Sequence, residues 1–165
     1  MAELRRVVTG HDDRGQSVIV ADEMVPSDDM GPTAWNAAIW ALDVPPMYPD
    51  GGEQPQIGEF LPAPGAVRFG VMSVAAGGTA HVDDWVVENY GPLADPARPG
   101  MHRTPTLDLV VVLAGEIAMQ LDGGDEVVLR RGDFLVQSGT RHRWENRGDS
   151  DAVITVTMIG AHLRQ

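Results

Sequence analysis

One stretch of the sequence holds side chains whose types and spacing could do chemistry. His102, Thr104 and Asp108 sit in MHRTPTLDLVVVLAGE (101–116), and Gln137, His142 and Trp144 in RRGDFLVQSGTRHRWEN (130–146). Imidazole titrates nearest neutral pH, so two histidines with a carboxylate suit acid–base work. His102, Thr104 and Asp108 share parity and would share one face of an unbroken strand. Six residues of strand hold His102 and Asp108 about 20 Å apart, so a straight strand cannot bring them to one small ligand. Pro105 supplies the remedy, because it cannot donate to a ladder and restrains the residue before it. A bend there brings Asp108 beside His102 on a neighbouring strand.

In the second segment His142, Trp144 and Asn146 alternate with Arg141, Arg143 and Glu145. The charged set is expected to face solvent and the His/Trp/Asn set to face inward. An inward histidine beside an inward tryptophan is the composition of a small-molecule pocket. Each residue has a plainer reading as well. Asp108 could cap the bend or pair with Arg103, Trp144 could be core, and Gln137 and Thr104 could satisfy turn backbone. The two histidines read as a metal site, as a metal-free catalytic or binding pair, or as a structural pair. His81 is a lone loop histidine that could supply another imidazole if 82–100 folds over the mouth, with Tyr90 and Trp85 as lid residues. His11 and His162 are given no role.

The elements that position these groups are strands. Short β-rich runs separated by Gly, Pro and Asp dominate, and no long stretch keeps helical period. Residues 4–9 and 17–24 read as a strand pair joined by GHDDRGQ, and 35–42 as a strand whose alanines also allow a short helix. Residues 43–65 carry six prolines and four glycines and read as a long loop. A strand follows at 66–75, then six more near 107–114, 116–121, 126–130, 133–137, 141–146 and 152–160. Six short strands with tight turns imply a sandwich or barrel, since an open sheet would leave unprotected edges.

Composition narrows the function. The 165 residues fit one domain, 1–165, able to bury a core without staples. Cysteine is absent and all 12 basic residues are arginine, which removes disulfides, thiolate chemistry and Schiff-base lysine. A formal net charge of -12 opposes nucleic-acid binding. No apolar run approaches the ~20 residues of a membrane span, so a soluble cytoplasmic protein without membrane partners is expected.

At these residues the chain resembles a cupin. His102, Thr104, Asp108 and Gly115 fall at the spacings of the first cupin motif, with Thr104 where a second histidine is expected and Asp108 where glutamate is expected. Gly132-Asp133, His142 and Asn146 match the second motif, with one residue fewer between Gly132 and His142. The chain is also similar to a group of single-domain cupins from actinobacterial and fungal biosynthetic clusters. These begin with a segment like RRVVTGHD and carry a QxGTxHxWxN motif, here Gln137, Gly139, Thr140, His142, Trp144 and Asn146.

The resemblance implies an all-β fold, a conical cupin barrel (double-stranded β-helix, jelly-roll-like) with core strands in 66–160 and an N-terminal strand extension in 1–65. It also implies a divalent metal, Fe, Zn, Mn or Ni, held by His102, Asp108 and His142, unless the pocket has dispensed with metal at Thr104. A homodimer is expected. The function implied is an enzyme acting on a small organic acid or polyketide-like intermediate by lyase or isomerase chemistry, such as decarboxylation or dehydration. His102, His142 and Asp108 would be catalytic, and Thr104, Arg103, Gln137 and Trp144 would contact substrate. An iron(II) dioxygenase using the same three residues and a non-catalytic small-molecule-binding cupin are the alternatives.

Overall fold

The computed structural model describes residues 3–54, 59–80 and 90–163. Among them the regular elements are strands, apart from one 3-10 turn at Gly91–Leu93, and no helix is long and apolar enough to cross a membrane. β1 (Leu4–His11) and β2 (Ser17–Val25) form an antiparallel hairpin. Its turn closes because the Asp12 carboxylate accepts from the backbone N–H of Arg14 and Gln16, at 2.9 and 2.8 Å.

After β3 (Asp28–Asp29), β4 (Ala34–Leu42) is a strand, so the helical alternative for the alanine-rich segment falls. Its small residues let it lie close to β5 (Val67–Val74); a Cβ on Gly70 would come within 3.0 Å of the Ala37 carbonyl oxygen. The hairpin docks on β4 through Arg6, whose guanidinium stacks over Trp40 at 5.7 Å and donates to the Ile39 carbonyl at 2.9 Å.

The remaining strands are β6 (Thr106–Ala114), β7 (Glu116–Leu121), β8 (Glu126–Arg130), β9 (Phe134–Ser138), β10 (His142–Glu145) and β11 (Ala152–Gly160). They match the six strands read from the sequence to within a residue or two. A six-stranded sheet runs β3-β4-β5-β11-β6-β9, facing a three-stranded sheet β10-β7-β8. β4 is hydrogen-bonded into the larger sheet, so the barrel is built from earlier in the chain than the expected 66–160. Period-two alternation fills the core: Val110, Val112, Ile117, Met119, Trp144 and Ile154 point inward, while Leu109 and Leu113 of β6 face out.

The bend expected at Pro105 carries the chain between the sheets. His102 bridges His142 of β10, with the paired backbone bonds His102 N–H to His142 O at 3.0 Å and His142 N–H to His102 O at 2.8 Å. Beyond Pro105 the chain enters β6 of the larger sheet, where Asp108 lies opposite Gln137 of β9 and Met158 of β11. Gly115, at φ +66°, makes the turn into β7, and a side chain there would run into the Asp151 carbonyl.

Asn146 closes the loop after β10. It is fully buried, its amide N–H groups donate to the carbonyls of Val74 and Ser150, both at 2.9 Å, and its oxygen accepts from the Gly148 N–H at 2.9 Å. Asn146→Ala is therefore expected to cost about 2–3 kcal/mol, since it orphans buried backbone groups. Urea denaturation of variant and parent checks this.

Candidate functional site

The bridge between His102 and β10 places the two imidazoles 4.5 Å apart, centroid to centroid, at a 56° tilt. Both are buried. His102 is flanked on its other side by Tyr90, stacked at 4.3 Å and nearly parallel (8°). Trp144 meets the His142 ring edge-on at 6.0 Å. Each histidine donates its Nδ1 proton to a backbone carbonyl two residues earlier, Gly100 O at 2.9 Å and Thr140 O at 3.0 Å. That fixes the tautomer and leaves Nε2 as the acceptor nitrogen. The Gln137 amide nitrogen lies 2.6 Å from Nδ1 and 3.1 Å from Nε2 of His142, and with Nδ1–H committed to Thr140 it donates to Nε2. Gln137 Oε1 is buried with no hydrogen-bond partner among the described residues.

Burial governs the charge state. It pushes His142 down to about 3, helped by the neighbouring His102 and opposed by the Thr140 carbonyl. It pushes His102 down to about 4, against the Gly100 carbonyl. Both rings are neutral at pH 7. Asp108 moves the opposite way: burial raises its carboxyl above the ordinary range, partly offset by Thr106 and Thr104. Its Oδ1 is 2.5 Å from the Thr106 hydroxyl and its Oδ2 3.5 Å from that of Thr104, and the two hydroxyls are 2.7 Å apart. Tyr90 is raised as well, by burial and then by the nearby Asp108.

A cavity of about 370 Å³ opens between the sheets. Of the residues singled out in the sequence, Thr104, Asp108, His142 and Trp144 line it. The others fall elsewhere. His102 stands behind His142, in contact with it and with Tyr90. Gln137 lies against His142 rather than on the wall. Arg103 is not among the described residues that line the cavity, and its backbone N–H donates to the Leu93 carbonyl at 3.1 Å. His81 and Trp85 lie outside the described residues.

Sequence reasoning missed Arg68, Trp40, Asn36 and Met158, which also line the cavity. Arg68 carried a signal, being the one charged residue in the apolar strand AVRFGVMSVA and of one parity with inward Met72 and Val74. Its guanidinium pairs with Asp43 at 2.7 Å and donates to the carbonyls of Glu59, at 3.1 and 3.0 Å, and Val67, at 3.0 Å.

The residues present do not fit the expected three-ligand metal set. Among the described residues, no group of three or more His, Cys, Asp or Glu side chains is arranged to hold a metal ion. The physical reason is local. Thr104 cannot replace an imidazole as a strong donor, and it and Thr106 draw the Asp108 oxygens to themselves, while the Gln137 N–H occupies His142 Nε2.

Residues 93–158 match the Cupin domain family, which makes this part of the chain a cupin domain. It is similar to phomopsin biosynthesis cluster protein D of Diaporthe leptostromiformis, 54% identical over 54 residues, which are 30% of this chain and 29% of that protein. Oryzines biosynthesis cluster protein J of Aspergillus oryzae is 46% identical over 58 residues, 35% of this chain and 31% of that protein. A cupin-domain-containing oxidoreductase of Aspergillus ruber is 28% identical over 154 residues, 88% of this chain and 66% of that protein. The matches thus span less than a third of the first two relatives and about two thirds of the third.

Two outcomes follow from this geometry. Elemental analysis is expected to give the same metal-to-protein ratio for the parent and for Asp108→Asn, because the Asp108 carboxylate is turned to the threonines. The second concerns pH. With folded values of about 3 and 4 against an ordinary 6.5, His142 and His102 bind fewer protons folded than unfolded. Their contribution to stability is intact above the ordinary value and is lost as pH falls towards the folded ones. Asp108, raised, works in reverse, contributing below the ordinary carboxylate range and losing that contribution as pH rises through its folded value. Urea midpoints measured from pH 7 to pH 4 should fall in the parent and fall less in His142→Asn.

Proposed function

We propose that this cupin is an enzyme that moves protons on a small organic intermediate held in the barrel cavity, a lyase or isomerase reaction of the dehydration kind. One observation carries the reading. Asp108 and His142 face the same cavity with their proton affinities pushed in opposite directions, Asp108 up and His142 down. Opposite shifts within one cavity are the arrangement that divides a pair of groups into an acid and a base.

In a dehydration, the Gln137 amide turns its N–H off His142 Nε2, which then takes the proton from the carbon next to a carbonyl. The electron pair of that C–H bond becomes the new C=C bond, and the hydroxyl on the adjacent carbon leaves with the Asp108 proton as water. Solvent then returns the proton from imidazolium to carboxylate, and nothing is oxidised or reduced. Gln137 is a positioning residue in this scheme. The half-turn of its amide that withdraws the N–H brings up Oε1, which accepts from Nε2 once that nitrogen is protonated. His102, braced by Tyr90, holds the His142 ring by contact and by the backbone bridge.

The biosynthetic-cluster relatives support a substrate that is a pathway intermediate. A second reading, oxidation by a dioxygenase of the iron(II) type, is supported by the name of the Aspergillus ruber relative, an oxidoreductase matched over 88% of this chain.

Exchange of carbon-bound hydrogen for deuterium separates the two. A panel of hydroxy-carbonyl compounds incubated in D2O and followed by NMR should show exchange that persists without oxygen and with chelator. Asp108→Asn and His142→Ala should each slow it about 10²–10⁴-fold, the usual loss for a general acid or base. Turnover that appears only with added iron(II) and consumes oxygen would establish the oxidative reading instead.

A further inference from the structure

We infer that the cavity takes an uncharged, largely apolar molecule with one hydrogen-bonding end, and rejects carboxylates. This rests on the reading of the cavity as the active site and narrows its substrate class.

The first observation is the balance of charge. Among the described residues lining the cavity, Arg68 is the one cation, and it is already spent. Asp43 neutralises it at 2.7 Å and the Glu59 and Val67 carbonyls take its N–H groups, so a ligand carboxylate would have to displace a formed ion pair. The acidic side chains on the lining are Asp28 and Asp108, within a chain of net charge -12. A carboxylate entering here would lose its hydration with no free cation among the described lining residues to offset that loss.

The second observation is where polarity sits. Asp108 lies opposite Gln137 in the β6–β9 ladder, and the Gln137 amide touches His142, so Thr104, Asp108 and His142 gather at one end. That end gathers the Thr104 hydroxyl, the Asp108 carboxyl and the His142 imidazole, hydrogen-bonding groups that suit a hydroxyl or carbonyl oxygen. The walls beyond it are apolar and aromatic, from Trp40, Phe60, Met72, Trp144 and Met158. Dispersion and desolvation there favour a ring or alkyl body. Decarboxylation, whose substrate enters as a carboxylate, therefore drops out of the lyase reading, and dehydration or isomerisation of a neutral hydroxy-carbonyl compound remains.

Calorimetric titration with three matched probes tests this: 2-naphthalenemethanol, 2-naphthoate and 2-naphthylmethylammonium at pH 7.5. The neutral alcohol should bind at least about tenfold tighter than either ion. Asp43→Asn, which frees Arg68 without touching Asp108 or His142, should strengthen naphthoate binding about tenfold and leave the alcohol unchanged. Met158→Trp and Val156→Phe, each checked for folding by thermal melt, should weaken the alcohol by filling the cavity. Equal or tighter binding of either ion by the parent protein overturns the inference on charge, and the deuterium-exchange result then stands or falls independently. Alcohol binding that survives both cavity-filling substitutions overturns the placement of the ligand in this cavity.

Discussion

The site depends on one constraint of chain geometry. His102 and Asp108 are close in sequence and belong to opposite sheets, so residues 103–105 must carry the chain across the mouth of the barrel. Pro105 makes the crossing possible because it asks for no ladder partner at the point where ladder pairing changes hands. Its carbonyl is still used, accepting from the Ala161 N–H at 2.7 Å, which anchors the bend to the end of β11. Once the crossing is made, the reciprocal backbone bonds of His102 and His142 set the two rings against each other, and the β6–β9 ladder puts Asp108 beside Gln137 and hence near His142.

Thr104 sits inside that crossing, and its hydroxyl changes what the neighbouring carboxylate does. An imidazole there would present a lone pair to a shared ion. The hydroxyl instead closes a local network with Thr106 and Asp108, which satisfies the carboxyl internally and keeps it buried. Burial then dominates the titration of Asp108, His142 and His102, raising the acid and lowering the bases. These opposite shifts are thus a consequence of the same dry barrel interior that holds the fold together.

The second motif shows how one short strand can serve both structure and chemistry. Inward parity puts His142 at the cavity, Trp144 in the core and Asn146 at the loop that follows, three different tasks on one face of β10. Asn146 never approaches a ligand; it ties the loop after β10 to β5 through the Val74 carbonyl. Spacing alone could not distinguish a chemical residue from a structural one within that motif.

By itself the sequence determined the strands, the bend and the inward faces. Those features follow from local rules: glycine and aspartate at turns, period-two alternation, and a proline where a ladder must break. It also carried both motif halves, and with them the cupin resemblance and the identity of His102, Asp108 and His142. Tertiary structure alone decided which of these reach the cavity. His102 packs against Tyr90 and His142, an outcome set by contacts between residues distant in the chain, and Asp108 turns to two threonines. Arg68 became part of the pocket for the same reason, since its strand is brought to the site only by β11 pairing between β5 and β6. Parity tells a side chain which way to face, but the partner it meets there is supplied by another strand, and burial by the whole barrel sets its charge.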